Sequence, residues 1–135
     1  MNKSKTTLLL MELVIMVMFF SIAAAICMNV FASAQVTADD SANRSMAGIH
    51  AQSAVDCYKA VKGDLAECVE ILGGVTDGSV MYIFFDDKWN LCDSENSSAE
   101  GFTVSLLKFA GGNISVTVSV NGTEGLLFDI GAYIY

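Results

Sequence analysis

Residues 8–32 read LLLMELVIMVMFFSIAAAICMNVFA, twenty-five positions of which only Glu12, Ser21 and Asn29 are not apolar. A helix of that length extends about 37 Å, against a bilayer hydrocarbon core of ~30 Å. It is long enough to cross a membrane. Glu12 stands four residues inside this stretch, where an isolated carboxylate in lipid costs on the order of 3 kcal/mol or more, depending on depth. Two arrangements relieve that cost. The side chain can snorkel to the headgroups beside Lys5, or it can meet a positive group on a neighbouring helix and so fix the axial register of an assembly.

The flanks of the stretch assign it a direction. Lys3 and Lys5 precede it, and Asp39 and Asp40 follow it. By the positive-inside rule the N-terminus is cytoplasmic and the rest of the chain lies outside. Two processing schemes remain open on sequence alone: an anchor that stays with the protein, or a secretory signal cleaved after Ala34 in the small-residue pattern Ala32-Ser33-Ala34. The apolar run is longer than the 7–15 residues usual for a signal core. An early acidic residue is also atypical of such cores, so the anchor is the expectation.

From Gln35 onward there are fourteen Asp or Glu against five Lys or Arg. Such an acidic surface repels nucleic acid, because phosphate binding needs concentrated Lys and Arg. The remaining hundred or so positions suit one small domain.

With no Pro in the chain and no Gly before Gly48, nothing stops the helix at the membrane surface. Met46, Ile49, Ala54, Cys57, Tyr58 and Val61 recur at three- and four-residue spacings, while Asp39, Asp40, Arg44, Asp56 and Lys59 fall mostly elsewhere. The pattern predicts an amphipathic helix over 33–62 with one face on a domain. Gly63 suits a helix C′ position. Asp64 with Glu67 three residues on makes a capping-box pattern for a short helix over 64–72.

Beyond Asp77-Gly78 the period changes to two. VMYIFF (80–85), FTVSLLKFA (102–110), ISVTVSV (114–120) and LLFDIGAYIY (126–135) read as strands. Ile114, Val116, Val118 and Val120 alternate with Ser115, Thr117 and Ser119, so one face is buried and the other wet. Gly111-Gly112 and Asn121-Gly122 mark the turns of an antiparallel meander, and the polar segment from Asp86 to Gly101 reads as a loop. The predicted fold is α+β: a long N-terminal helix packed on a four-stranded antiparallel sheet. Its parts are a leader over 1–7, a membrane segment over 8–32 and an outer domain over 33–135.

Residues that could carry chemistry are few. His50 is the single histidine and has no nucleophile beside it in the helical pattern. Asp86, Asp87 and Asp93 lack the Gly and terminal Glu spacing of a calcium loop and read as a solvated turn. Cys57, Cys68 and Cys92 have no CxxC spacing. No Gly-rich phosphate loop is present, so no enzyme activity, metal or cofactor is expected. Trp89 reads as a loop residue folded over the sheet edge. Three outer cysteines cannot all pair within one chain. If the chain reverses at Gly63, Cys57 and Cys68 lie at similar distances from the turn and can face each other; Cys68 with Cys92 is the competing pair. In a continuous helix the first two would be about 16 Å apart, too far for a bridge. NRS, NSS, NIS and NGT match the short N-glycosylation pattern.

The segment TTLLLMELVIMVMFF, behind a basic leader, resembles the N-terminus of the type IV pilin and pseudopilin family. There a short leader precedes an apolar helix interrupted by one glutamate, and aligning Glu12 with it puts the processing junction between Thr7 and Leu8. Thr7 stands where the family has Gly, and Leu8 where Phe is common. The resemblance implies a minor pilin or pseudopilin that assembles through its N-terminal helix with like or related subunits into a pilus or a secretion-type filament. It also implies a prepilin peptidase and an assembly platform in the membrane as partners. In that scheme Glu12 pairs with the new amino terminus of an adjacent subunit, and Lys5 or Lys3 of a neighbour is the substitute where no cleavage occurs. Two other readings are a monomeric bitopic protein with an outer binding domain, and a small secreted domain released after Ala34.

Overall fold

A computed structural model describes residues 2–93, 100–122 and 125–133. The chain divides into two compact units, Met1–Ser41 and Ala42–Tyr135. One helix, α1 (Asn2–Ala60), supplies all the described structure of the first unit and opens the second. Within it the hydroxyls of Thr6, Thr7, Ser21 and Thr37 each bond the carbonyl four residues back, at 2.8–3.0 Å. These polar side chains are thereby satisfied inside the helix they belong to.

The end of α1 comes earlier than the sequence reading, by one position at C′ and by two at the last helical residue. Lys62 N–H donates to Lys59 O (3.2 Å) and Gly63 N–H to Tyr58 O (3.0 Å), the paired bonds of a Schellman stop. Lys62, with φ 53, therefore holds the left-handed C′ place expected for Gly63, and Gly63 follows it with φ 88. The last helical residue is Ala60 rather than Lys62. Helix α2 (Leu65–Leu72) starts at once, with the Asp64 carboxylate accepting from Ala66 N–H as its N-cap. It ends at Gly73, which has φ 70. At Gly74 the chain passes so close to the sheet that a Cβ would lie 2.5 Å from Tyr82 O, which only glycine avoids.

The sheet has six strands where four were expected: β1 (Val75–Asp77), β2 (Val80–Phe85), β3 (Leu91–Cys92), β4 (Phe102–Lys108), β5 (Asn113–Val120) and β6 (Leu126–Tyr133). All described pairings are antiparallel, in the order β1-β2-β4-β5-β6, with β3 on the same edge of β2 as β1. The two additional strands are three and two residues long, too short to show a period of two. β1 joins β2 through the two-residue turn Gly78-Ser79, where Gly78 takes φ 62. β3 forms inside the segment read as a loop. The four predicted strands are present, though the final two positions of the last one, 134 and 135, lie outside the described residues.

Register stacks the apolar residues in rows. Met81, Leu106, Val116 and Ile130 lie side by side across β2, β4, β5 and β6; so do Ile83, Val104, Val118 and Phe128. Ala47, Ala51, Ala54, Val55 and Tyr58 of α1 join these rows in one core, together with Leu65 and Cys68 of α2. Of the predicted face, Ala54 and Tyr58 are buried and Cys57 and Val61 pack against the core, while Ile49 is exposed and the alanines Ala47 and Ala51 take its place. Small residues let the helix backbone approach the sheet closely enough for the larger sheet side chains to fill the space between. Gly48 continues this face: a Cβ there would meet the Phe128 ring at 3.6 Å.

Candidate assembly surface

The apolar half of α1 has no partner within the described chain. Every large apolar residue from Leu8 to Phe31 is exposed, Ile15 least at 47% and Phe20 most at 79%. The helix is long and apolar enough to cross a membrane. Glu12 lies in a shallow apolar depression with Leu8, Met11, Ile15 and Met16. Ion pairs along a helix need a spacing of three or four residues. Lys5, the nearest base in sequence, is seven residues away and Lys3 is nine. A cation for Glu12 has to come from outside its own helix, or the carboxylate has to reach water.

The Thr7–Leu8 junction is helical, and the Thr7 hydroxyl bonds Lys3 O at 2.8 Å. Cleavage there requires the first turns of α1 to open, since proteases act on opened backbone. The alternative junction after Ala34 is helical as well and lies mid-helix.

Further along α1, Ile26, Asn29, Val30, Ser33, Ala34, Thr37, Ala38 and Ser41 line one shallow groove. Their three- and four-residue spacing puts them on a single face. This face is not among the features singled out from the sequence. The signal was there, as Ser33, Ala34, Ala38 and Ser41 at helical spacing.

The other singled-out residues fall into two groups in the second unit. Around residue 86 an Asx-type turn is built on one carboxylate: Asp86 accepts from Lys88 N–H (2.9 Å), Asn90 N–H (2.8 Å) and Asn90 Nδ2 (2.9 Å). The Asn90 bonds hold the Asp86 carboxyl below its ordinary range, with a further contribution from Lys88. This turn presents Trp89 in a left-handed conformation, φ 62. Its indole lies flat on Phe102 with centroids 4.1 Å apart and is nearly parallel to His50 at 5.2 Å, while Nε1–H donates to Asn43 Oδ1 (3.2 Å). Trp89 therefore closes one end of the core, and His50 packs between it and Phe85. Burial lowers the His50 pKa, and its Nε2 has no hydrogen-bond partner among the described residues.

At the other end Lys108 reaches back to the stop of α1. Its Nζ donates to Gly63 O (2.9 Å) and stands 6.0 Å from the centre of the Tyr58 ring. Close by, the structure brings Cys57 and Cys68 together as thiols. Cys92 sits elsewhere, on β3 opposite Phe84. Among the described residues no three His, Cys, Asp or Glu side chains converge as a metal site would need. Of the glycosylation patterns, Asn43 is engaged by Trp89 and Asn113 is exposed at the β4–β5 hairpin, whereas NSS and the Thr of NGT lie outside the described residues. Compared with protein-family models, with curated proteins and with solved structures, the chain matches none of them.

Proposed function

We propose that this protein is a membrane-anchored, pilin-like structural subunit that assembles with like or related subunits through the N-terminal half of α1. The observation that carries the proposal is the division of one uninterrupted helix. Its later part packs one face on a small α+β unit, while its apolar part, with a single carboxylate, is uncovered by any described residue. A helix that only anchored the unit would gain nothing from Glu12, which is unfavourable in lipid. An assembling helix gains from it, since a neighbour's amino group satisfies the carboxylate and sets the stagger between copies. Small residues at helical spacing fit the same role, because packing contacts drive helix association where lipid gives no hydrophobic advantage. In this reading the acidic unit faces outward and forms the surface of the filament or of its initiating complex.

The test is the mature N-terminus together with the fate of Glu12. Intact mass and terminal peptides from the cell envelope are expected to begin at Leu8, or at the original N-terminus if a neighbour's Lys5 or Lys3 serves Glu12. A start at Gln35 sinks the proposal and leaves a secreted domain. Glu12→Ala is expected to lower the yield of crosslinked multimers at least tenfold without altering the outer unit. Full activity of Glu12→Ala, with no ladder of copies in either protein, points instead to a monomeric bitopic protein.

A further inference from the structure

We infer that Cys57 and Cys68 become joined as an intrachain disulfide that staples the end of α1 to α2. The inference rests on the outward placement proposed above, since disulfides form and persist outside the reducing cytosol. Three features of the fold bring the sulfurs together. α1 ends at Ala60 and α2 begins at Leu65, with the reversal held by Gly63 N–H to Tyr58 O (3.0 Å) and Asp64 N–H to Val61 O (3.3 Å). Cys57 stands three residues before the end of α1 and Cys68 three residues after the start of α2, so the reversal carries them to the same level. Cys68 is completely buried in the core, half-buried Cys57 packs against that same core, and the two side chains interact. The remaining cysteines do not compete. Cys27 belongs to the apolar half of α1, and Cys92 is fixed on β3 opposite Phe84.

The oxidation needs a disulfide donor: an extracytoplasmic thiol–disulfide oxidoreductase in its oxidised form, or a small-molecule disulfide. The Cys57 thiolate, the more accessible of the two, attacks one donor sulfur; the donor S–S bond breaks and one donor thiolate leaves. Cys68 then gives up its proton and attacks the Cys57 sulfur of the mixed disulfide, expelling the second donor thiolate. Two cysteine thiols lose two electrons and two protons, and the donor gains both as a dithiol. Burial, with the adjoining Cys57, pushes the Cys68 thiol up to about 12. The second displacement is therefore the slow one, and Cys57 is the point of entry.

The experiment uses the full-length protein in its cells, quenched in acid, denatured and alkylated before any reduction. The expected mass carries alkyl groups on Cys27 and Cys92 only, rising to four after reduction. Trypsin then releases the peptide over 45–59 linked to that over 63–88. Four alkylated cysteines, or a link to the peptide over 89–108 that holds Cys92, overturns the inference. Placement is read separately by labelling an exposed Gln52→Cys variant with a membrane-impermeant maleimide on intact cells. A reduced pair with Gln52→Cys labelled overturns the disulfide and leaves the outward placement standing; a reduced pair with Gln52→Cys shielded overturns both. A linked pair should also make the unfolding midpoint of the outer unit fall by roughly 10 °C on reduction. That sensitivity should be absent from Cys57→Ser, and a wild type equally insensitive to reductant argues against a staple.

Discussion

The two halves of α1 obey different rules although they belong to one helix. Around residue 51 the face that meets the sheet is made of alanines, with Ala47, Ala51 and Ala54 at 0% exposure and Met81, Leu106 and Val116 closing over them. Around residue 16 the helix is apolar on all sides and Met16 and Phe20 are 62% and 79% exposed. A helix apolar all round is one whose neighbours surround it. The difference lies in what covers each half: the later half packs one face on its own chain, whereas the earlier half is covered by no described residue and is long and apolar enough to cross a membrane.

The largest expected effect comes from removing a side chain that faces the alanines. Met81→Ala takes away a fully buried side chain from the centre of the sheet and should destabilise the outer unit by about 3 kcal/mol. Chemical denaturation of the detergent-solubilised protein, followed by Trp89 fluorescence, measures it. Met16→Ala deletes the same atoms from the uncovered half and should leave that midpoint within ~0.5 kcal/mol, changing only the yield of crosslinked multimers. If Met16→Ala unfolds the outer unit, the division between the halves is wrong.

Next in size is the reverse substitution, made in both places. Ala51→Leu forces extra volume between helix and sheet and should cost about 2 kcal/mol in the same denaturation assay. Ala24→Leu adds that volume to the membrane-length half, where it should spare the fold and weaken association by widening the closest approach of helices. Equal destabilisation by the two would show that the inner half also packs on its own chain.

This contrast was legible in the sequence as far as periodicity reaches. The long helix followed from the absence of Pro and the lateness of Gly48, and the meander followed from strict alternation in ISVTVSV and from paired turn glycines. What escaped was decided by contacts between distant residues. β1 and β3 exist because Gly74 and the Asp86 turn deliver two short segments to the edge of β2, and segments of three and two residues carry no pattern of their own. Ala47 and Ala51 have too weak a hydropathy to mark the buried face of α1 in sequence, yet both are fully buried. Trp89 is a loop residue folded over the sheet as the sequence suggests, but its partners Phe102, His50 and Asn43 are distant in sequence and have no local signature. Glu12 stands out in sequence as one charge in an apolar run, and the groove ending at Ser41 shows there as small residues at helical spacing.

A smaller effect separates the halves by pH. His50 lies in the outer unit, and burial holds its pKa below the ordinary 6.5. Between the folded and unfolded values the unfolded chain binds more protons, so stability rises with pH through that window. The contribution of neutral His50 is complete above about pH 6.5 and is lost as pH falls through the lower, folded value. The Asp86 carboxyl acts in a separate, more acid window, since a lowered carboxylate stabilises above its ordinary 3.8 and fails as pH falls through its folded value. His50→Leu should flatten the unfolding midpoint between about pH 7 and 5 while leaving the fall below pH 4 in place. If the proposed assembly holds, multimer yield should not follow the His50 window, because Glu12 belongs to the other half.

The smallest expected effect lies at the boundary where α1 stops, and it is stabilising. Lys62 holds φ 53 although it has a Cβ, while the glycine beside it takes φ 88. Left-handed backbone is costly for any L-residue other than glycine, Asn and Asp, and its usual occupant at a Schellman stop is glycine. Lys62→Gly relieves the strain and also frees the unfolded chain, two effects of opposite sign. Because Lys62 is exposed and the bonds of the stop are backbone bonds that glycine also makes, little else is lost. A net gain of about 0.5 kcal/mol is expected, read as a small rise in the denaturation midpoint with unchanged slope. Lys62→Val should move the midpoint the other way, since a β-branched residue tolerates this conformation least. If Gly and Val substitutions are equivalent, the left-handed stop is not where α1 ends, and the Cys57–Cys68 corner built on it loses its foundation.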